Sequence, residues 1–134
     1  MLEAQAQSYA TLQLSLYTSH VERMLLFYEI LGFVVVEDHE YAFGRYLVMA
    51  LHNNAGAQIS LAPVSSETDQ QRVGKQFFRI TSPTPFIPHQ TLIARGFRVS
   101  EYSTDRPTEF FTAYDPEGNE VLVAETRSLR RATT

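Results

Sequence analysis

The sequence predicts an α+β fold of two βαβββ modules in tandem, in which mixed, curled sheets form a cleft and the helices lie on the outside. The same order of strand and helix patterns occurs twice along the chain. Corresponding landmarks keep a nearly constant spacing, since Phe33 and Phe97 are 64 residues apart and Gly56 and Gly118 are 62 residues apart. Residues 115–119, Asp-Pro-Glu-Gly-Asn, favour a tight turn between two apolar stretches, and they therefore predict a hairpin.

The composition is that of a soluble globular protein, and we treat residues 1–134 as a single domain. The chain has 44% hydrophobic and 19% charged residues, a formal net charge of −4 and no cysteine. The lack of a basic stripe argues against a nucleic acid partner, and the lack of cysteine excludes disulfides and thiolate metal ligands. There is no signal-peptide pattern and no apolar run of membrane length. We therefore expect a cytoplasmic protein with no membrane partner.

The first module begins with its clearest elements. Residues 11–17 alternate strictly between leucine and more polar side chains, which predicts a half-buried strand. Ser19 and Glu22 have the spacing of a capping box and predict a helix over residues 20–31, with Gly32 as the residue after its C-cap.

Three further strands complete this module in the prediction. They cover residues 33–37, 46–51 and 58–62, and each is bounded by turn-forming residues. The stretch Asp38-His39-Glu40 is interpreted as the first turn, and residues 53–56 as the second.

The second module repeats this order after a polar stretch without helical or strand periodicity. Its predicted elements are a strand over 76–81, a helix from Thr84 through Ile93 that tolerates Pro88 near its first turn, a strand starting at Phe97, a strand over 110–114, and the strand after the hairpin.

These patterns divide the domain into two modules and a linker. The boundaries are 8–63 for the first module, 64–74 for the linker, 75–126 for the second module and 127–134 for a tail. One module cannot bury both faces of its own sheet, so we expect two modules to pack together, either within the chain or across a dimer.

Two stretches resemble the landmarks of a known superfamily. Phe27-Tyr28-Glu29-Ile30-Leu31-Gly32-Phe33, together with Asp115-Pro116-Glu117-Gly118-Asn119, is similar to the glyoxalase, bleomycin-resistance and extradiol dioxygenase superfamily, the vicinal oxygen chelate proteins. The resemblance covers about residues 11–125. It implies the paired-module fold, and it leaves open isomerases, lyases, dioxygenases, thiol transferases and non-catalytic drug-binding proteins.

The resemblance also implies where a metal would bind. In metal-dependent members, the first and last strands of each module supply one ligand each, and these positions correspond to Gln13, Ser60, Phe77 and Leu122 here. Gln13 matches a ligand that some glyoxalases use, whereas Ser60 is a poor ligand and the two apolar side chains cannot bind a metal. We therefore expect no metal cofactor. The alternative is a divalent ion such as Zn, Ni, Fe or Mn, held by Gln13 and residues not yet assigned.

Four other residues are candidates for lining the cleft. Arg79 shares a strand face with Phe77, and it can either hold a carboxylate or phosphonate or pair with Glu120. Tyr46 and Phe110 are among the aromatic residues that could stack on a flat ligand.

The four histidines are interpreted as surface or cap-region residues. None of His20, His39, His52 and His89 pairs with another at a metal-ligand spacing. Asp38-His39-Glu40 resembles a ligand cluster, but three consecutive residues rarely converge on one ion, so we favour a solvated turn.

Our leading hypothesis is a homodimer similar to bleomycin-resistance proteins, which binds a small, partly aromatic molecule in a cleft without a metal. The alternative is a metal-dependent lyase or isomerase of the glyoxalase type, or a dioxygenase, acting on a small molecule. A third hypothesis is a purely interactive protein whose cleft is filled by side chains.

Overall fold

The computed structural model describes residues 10–105 and 108–126 and confirms the tandem arrangement. The first half contains β1 (Leu12–Thr18), α1 (Val21–Ile30), β2 (Phe33–Tyr41), β3 (Gly44–Leu51) and β4 (Asn54–Pro63). The second half contains α2 (Glu67–Gln71), β5 (Phe77–Ser82), α3 (Phe86–Ala94), β6 (Arg98–Val99), β7 (Phe110–Tyr114) and β8 (Glu120–Glu125). The predicted tail over residues 127–134 lies outside the described residues.

Each half forms one four-stranded mixed sheet. The sheet of the first half, sheet A, has the order β1-β4-β3-β2, and the sheet of the second half, sheet B, has the equivalent order β5-β8-β7-β6. In both sheets the first and last strands of the module pair in parallel and the remaining pairs are antiparallel. The predicted α+β class with two βαβββ modules is therefore confirmed.

The helices cover one face of each sheet, as predicted, and they also pack against each other. Met24, Phe27 and Tyr28 of α1 are completely buried. The ring of Phe27 meets Phe97 of the second module edge to face at 5.4 Å, and Tyr28 stacks on Phe78 at 6.4 Å. One apolar cluster includes residues of both modules. The two modules thus share a single core, which their helix-covered faces enclose.

The two landmark stretches are physically joined in this core. The Tyr28 hydroxyl donates a hydrogen bond of 2.7 Å to Asp115 Oδ2, and Asn119 Nδ2 donates one of 2.8 Å to the same oxygen. Burial raises the pKa of Asp115, and the hydrogen bonds from Tyr28 and Asn119 oppose this shift only in part. Burial and the adjacent carboxylate raise the pKa of Tyr28, which keeps its hydroxyl a donor.

The predicted capping box at the start of α1 is wrong. His20 is the N-cap residue and makes no side-chain capping bond. Instead, Glu117 of the second module accepts hydrogen bonds from the Ser19 backbone N–H at 2.9 Å and the Thr18 hydroxyl at 2.6 Å. Glu22 forms an ion pair with Arg45. The segment that leads into α1 is therefore held by a carboxylate almost 100 positions away in sequence.

The predicted turn at Asp38-His39-Glu40 is also wrong, because these residues belong to β2. Asp38 accepts two hydrogen bonds from Arg45, at 3.0 and 2.8 Å, and the β2–β3 ladder continues to Tyr41. A second difference is α2, a short helix inside the predicted linker, whose N-cap Ser66 accepts a hydrogen bond from the Asp69 backbone N–H.

Among the described residues, no helix has the length and hydropathy needed to cross a membrane.

Candidate functional site

Three of the eight predicted site residues share the face of sheet A that α1 does not cover. We call this the outer face of sheet A. Gln13 is paired in register with Gln58, and Ser60 is paired with both Ser15 and Val48. Tyr46 lies two residues before Val48 in β3, so it points the same way. Residues on either side of Ser60 point into the core instead, since Ile59 and Leu61 belong to the apolar cluster.

The other five predicted residues share the outer face of sheet B. Phe77 pairs with Glu120 and Arg79 pairs with Leu122 along the β5–β8 ladder. Phe110 joins them from β7, because its register partner Ala124 lies two residues after Leu122. Phe77 is 67% exposed and Phe110 38% exposed, which is unusual for phenylalanine and leaves apolar surface uncovered on this sheet.

The structure brings these residues together in two groups, not one. Both sheets enclose the shared core with their helix-covered faces, so the outer faces point away from each other. Gln13, Ser60 and Tyr46 therefore lie on a different sheet face from Phe77 and Leu122.

The polar side chains of sheet A's outer face form cross-strand pairs. Gln13 Nε2 donates to Gln58 Oε1 at 3.1 Å, and the Ser60 hydroxyl donates to Ser15 Oγ at 3.1 Å. Sequence reasoning missed Gln58 and Ser15, although strict alternation along β1 and β4 already places them beside the predicted pair. Ser60 is fully buried by surrounding side chains, whereas Gln13 is exposed.

Arg79 does not form the ion pair with Glu120 that was one of its two predicted roles. The salt bridges between described residues involve other side chains: His20 and Glu117, His39 and Glu37, and Arg45 with its two carboxylates. Arg79 and Glu120 are both exposed and lie on neighbouring strands, two residues out of register. The Arg79 guanidinium remains available to an anion.

The four positions that correspond to metal ligands do not fit a metal. Gln13 and Ser60 supply only neutral oxygens, and Phe77 and Leu122 supply none, whereas divalent metal sites need several carboxylate, imidazole or thiolate donors. Within residues 10–105 and 108–126, no three histidine or acidic side chains come together as a possible metal site.

The histidines do not converge either. His20 Nδ1 lies 3.2 Å from Glu117 Oε2, and His39 Nε2 lies 3.0 Å from Glu37 Oε1. The expectation that all four are surface or cap-region residues is wrong for His89, which is only 6% exposed. Its Nε2 lies 3.0 Å from the Ser100 carbonyl oxygen, and this contact fixes the imidazole as a structural donor.

The β2–β3 hairpin carries an aromatic group that sequence reasoning did not single out. Tyr41 and Phe43 stack almost parallel at 5.6 Å, and His39 lies 6.3 Å from both Tyr41 and Tyr46. Tyr41 is 51% and Phe43 60% exposed. Because His39 and Tyr46 are register partners, this group continues the outer face of sheet A.

A pocket of about 450 Å³ opens between the two sheets at the edges formed by β1 and β5. Its walls are core-facing side chains such as Leu14, Ile59, Phe78 and Ile80, and Arg79 lies at its border. Gln58 and Arg79 also line this pocket, so it reaches the strand edges beside both outer faces.

Comparison with solved structures identifies the fold. The chain is similar to TnmS3, an antibiotic binding protein from Streptomyces sp. CB03234, with 20% identity, a TM-score of 0.70, and coverage of 89% of this chain and 97% of the other. It is also similar to a member of the glyoxalase/bleomycin resistance protein/dioxygenase superfamily from Sphaerobacter thermophilus DSM 20745, with 22% identity, a TM-score of 0.69, and coverage of 89% and 98%.

A third similar structure is a glyoxalase/bleomycin resistance protein from Streptomyces sp. CB03234, with 21% identity, a TM-score of 0.67, and coverage of 85% and 98%. No protein-family model matches the chain, and a search of curated proteins found no match. The chain has the fold of the glyoxalase/bleomycin resistance protein/dioxygenase superfamily. The resemblance of its two landmark stretches is thus confirmed at the level of the fold.

Proposed function

We propose that this protein is a metal-independent homodimer that binds a small, partly aromatic molecule between the outer face of sheet A of one protomer and the outer face of sheet B of its partner. The observation that carries the proposal is the exposed phenylalanine surface on sheet B's outer face, where the resemblance to the superfamily implies metal-ligand positions. Phe77, the most exposed phenylalanine of the described residues, occupies one of these positions.

The dimer is supported by the division of the eight candidate residues between two opposed faces. One chain offers hydrogen-bonding groups on sheet A and aromatic, apolar groups on sheet B, and each face alone is only half of a pocket. β1 and β5 are the edge strands beside these faces, and Leu12 on β1 is 76% exposed. Exposed apolar residues along unpaired sheet edges favour association with another chain.

The side chains on the two faces suggest the chemistry of the ligand. Phe77 and Phe110 offer surfaces for stacking on an aromatic ring, which ring contacts favour by about 0.5–1.5 kcal/mol beyond area burial. Arg79 has no carboxylate partner among the described residues and suits an anionic substituent. The cross-strand pair of Gln13 and Gln58 can hydrogen-bond to carbonyl or hydroxyl groups of the ligand. The antibiotic binding protein among the similar structures is consistent with such a role.

A fluorescence titration tests the ligand site. Anilinonaphthalene sulfonate combines aromatic rings with an anionic group, and we expect it to bind the folded protein saturably. Phe77→Ala should weaken this binding about tenfold or more, since it removes one stacking surface from the cleft.

Phe86→Ala is the matched control for this titration. Phe86 is 53% exposed but lies on α3, away from both outer faces, so its removal should leave probe affinity nearly unchanged. Circular dichroism confirms that both variants are folded. Equal affinity of Phe77→Ala and the unchanged protein would contradict the proposed site.

Two measurements separate this proposal from the enzymatic alternative. Light scattering at micromolar concentration should give the mass of two chains, and a monomer would contradict the shared cleft. Metal analysis should find no stoichiometric Zn, Ni, Fe or Mn. A bound ion whose removal lowers the melting temperature, or turnover that rises with added metal and falls in Gln13→Ala, would favour the glyoxalase-type alternative.

A further inference from the structure

A second pocket, of about 370 Å³, lies at the β6 edge of sheet B, beside the turn at residues 115–118. Two arginines from different modules border it. The Arg23 guanidinium of α1 lies over the ring of Phe97 at 4.1 Å, and the Arg98 guanidinium of β6 lies over the ring of Tyr114 at 3.9 Å.

Both guanidinium groups are held in place without a carboxylate partner. Neither Arg23 nor Arg98 takes part in the salt bridges found between described residues, and both side chains are exposed. A ring contact occupies one face of a guanidinium and leaves the N–H donors at its edge available. Arg45 shows the usual alternative in this protein, because it is saturated by Asp38 and Glu22.

The two carboxylates near the pocket are engaged elsewhere. Asp115 is 4% exposed and directs its oxygens to Tyr28, Asn119 and the turn backbone. Glu117 directs Oε2 to Thr18 and to the N-terminus of α1. Neither carboxylate forms a salt bridge with Arg23 or Arg98, so both guanidinium groups keep N–H donors for another anion.

We propose that Arg23 and Arg98 form a binding site for an oxyanion, the phosphate or carboxylate group of a small molecule. Planar guanidinium groups match the geometry of both anions, and their stacking on Phe97 and Tyr114 lowers the entropy lost when an anion is bound. The anion would connect α1 of the first module to β6 of the second. Arg98 pairs in register with Tyr114, and Tyr114 pairs with Glu120, so the site borders the outer face of sheet B at its β6 edge.

The test is a titration of the isotope-labelled protein with inorganic phosphate and, separately, acetate, at constant ionic strength, followed by amide and arginine Nε–H signals in NMR. We expect saturable shifts for at least one of the two anions, centred on Gly96, Gly118 and the Nε–H groups of Arg23 and Arg98. Which anion binds more tightly distinguishes a phosphate ligand from a carboxylate ligand. Shifts that increase linearly without saturation, or that occur at residues away from this pocket, would overturn the proposal. This titration uses the unchanged protein and needs no variant.

Variants then test the assignment to these two arginines. Arg23→Gln and Arg98→Gln should each weaken binding of the preferred anion about tenfold, as expected for the loss of a charge-assisted hydrogen bond. Arg95→Gln removes the same charge from an exposed position one residue before Gly96 that does not border the pocket. Arg95→Gln should bind the anion with unchanged affinity. If it weakens binding as much as Arg23→Gln and Arg98→Gln do, the anion is attracted by the general surface charge and not by a specific site.

Discussion

Removing the Tyr28 hydroxyl tests the connection between the two landmark stretches. In Tyr28→Phe the ring contacts with Phe27, Phe33 and Phe78 remain, while Asp115 loses a hydrogen bond of 2.7 Å in a buried site. A hydrogen bond to a charged group contributes about 1.5–3 kcal/mol to stability. For a chain of 134 residues, this corresponds to a decrease in melting temperature of about 5–10 °C.

The assay is urea unfolding followed by circular dichroism, with the slope of free energy against urea as a check on two-state behaviour. Tyr102→Phe is the matched control, because its hydroxyl donates to Glu109 at 2.8 Å in a partly exposed position. Burial raises the pKa of Tyr102 to about 12, so it too is a neutral donor near neutral pH. We expect Tyr102→Phe to lower the free energy of unfolding by less than about 1 kcal/mol. Equal effects of the two substitutions would refute the argument from burial.

The pH dependence of Tyr28→Phe provides a second criterion. Burial holds the folded-state pKa of Asp115 above its ordinary value of 3.8, so the folded protein binds this proton more readily than the unfolded chain. The contribution of this protonated carboxyl group to the free energy of unfolding is fully present below pH 3.8, and it decreases as the pH rises through the folded-state pKa of Asp115. Loss of the Tyr28 donor raises this pKa further. The difference in free energy of unfolding between the unchanged protein and Tyr28→Phe should therefore become smaller in acid, where Asp115 is protonated in both.

Two further predictions concern the turn of the second landmark. Glu117→Ala removes the acceptor for Thr18 and Ser19 at the start of α1 and should lower the free energy of unfolding by about 1–2 kcal/mol, measured by urea unfolding. Burial opposes ionisation of Glu117, but the hydrogen bonds to its carboxylate outweigh burial and lower its pKa. The contribution of Glu117 to the free energy of unfolding should therefore be lost as the pH falls from 4.5 through the folded-state pKa. An equally large effect of Glu117→Ala in acid would contradict this. Gly74→Ala should be destabilising by about 1–3 kcal/mol in the same assay, because Gly74 has φ +72° and a Cβ there would collide with the Glu117 carbonyl oxygen. Gly56→Ala is its control, since the nearest atom to a Cβ at that position is 3.6 Å away, and similar effects of the two glycine substitutions would count against the collision.

Local patterns in the sequence predicted most of the fold. Alternation along residues 11–17, the amphipathic α1 and the Asp-Pro-Glu-Gly turn depend on neighbours in sequence, and all three are present. Alternation also predicted correctly that Phe77 and Arg79 share a face with Leu122.

The errors occurred where a distant partner decides the local structure. Ser19 and Glu22 have the spacing of a capping box, but the Ser19 N–H bonds to Glu117 and Glu22 forms an ion pair with Arg45. Asp38 belongs to β2 and pairs with the same arginine. The packing of α1 against the second module, which separates the candidate residues into two faces, is likewise invisible to a local pattern.

The shared core has a consequence for the order in which the chain can fold during synthesis. The apolar side of α1 has only sheet A to cover it until Phe97 has been made, and the Tyr28 hydroxyl has no acceptor until Asp115 follows. These contacts span most of the chain, and closing such long loops is slow compared with forming a helix. A nascent first module therefore leaves the ribosome with uncovered aromatic surface, and its native packing is completed only when the last strands emerge. Truncation anywhere before the second landmark would leave that surface exposed permanently.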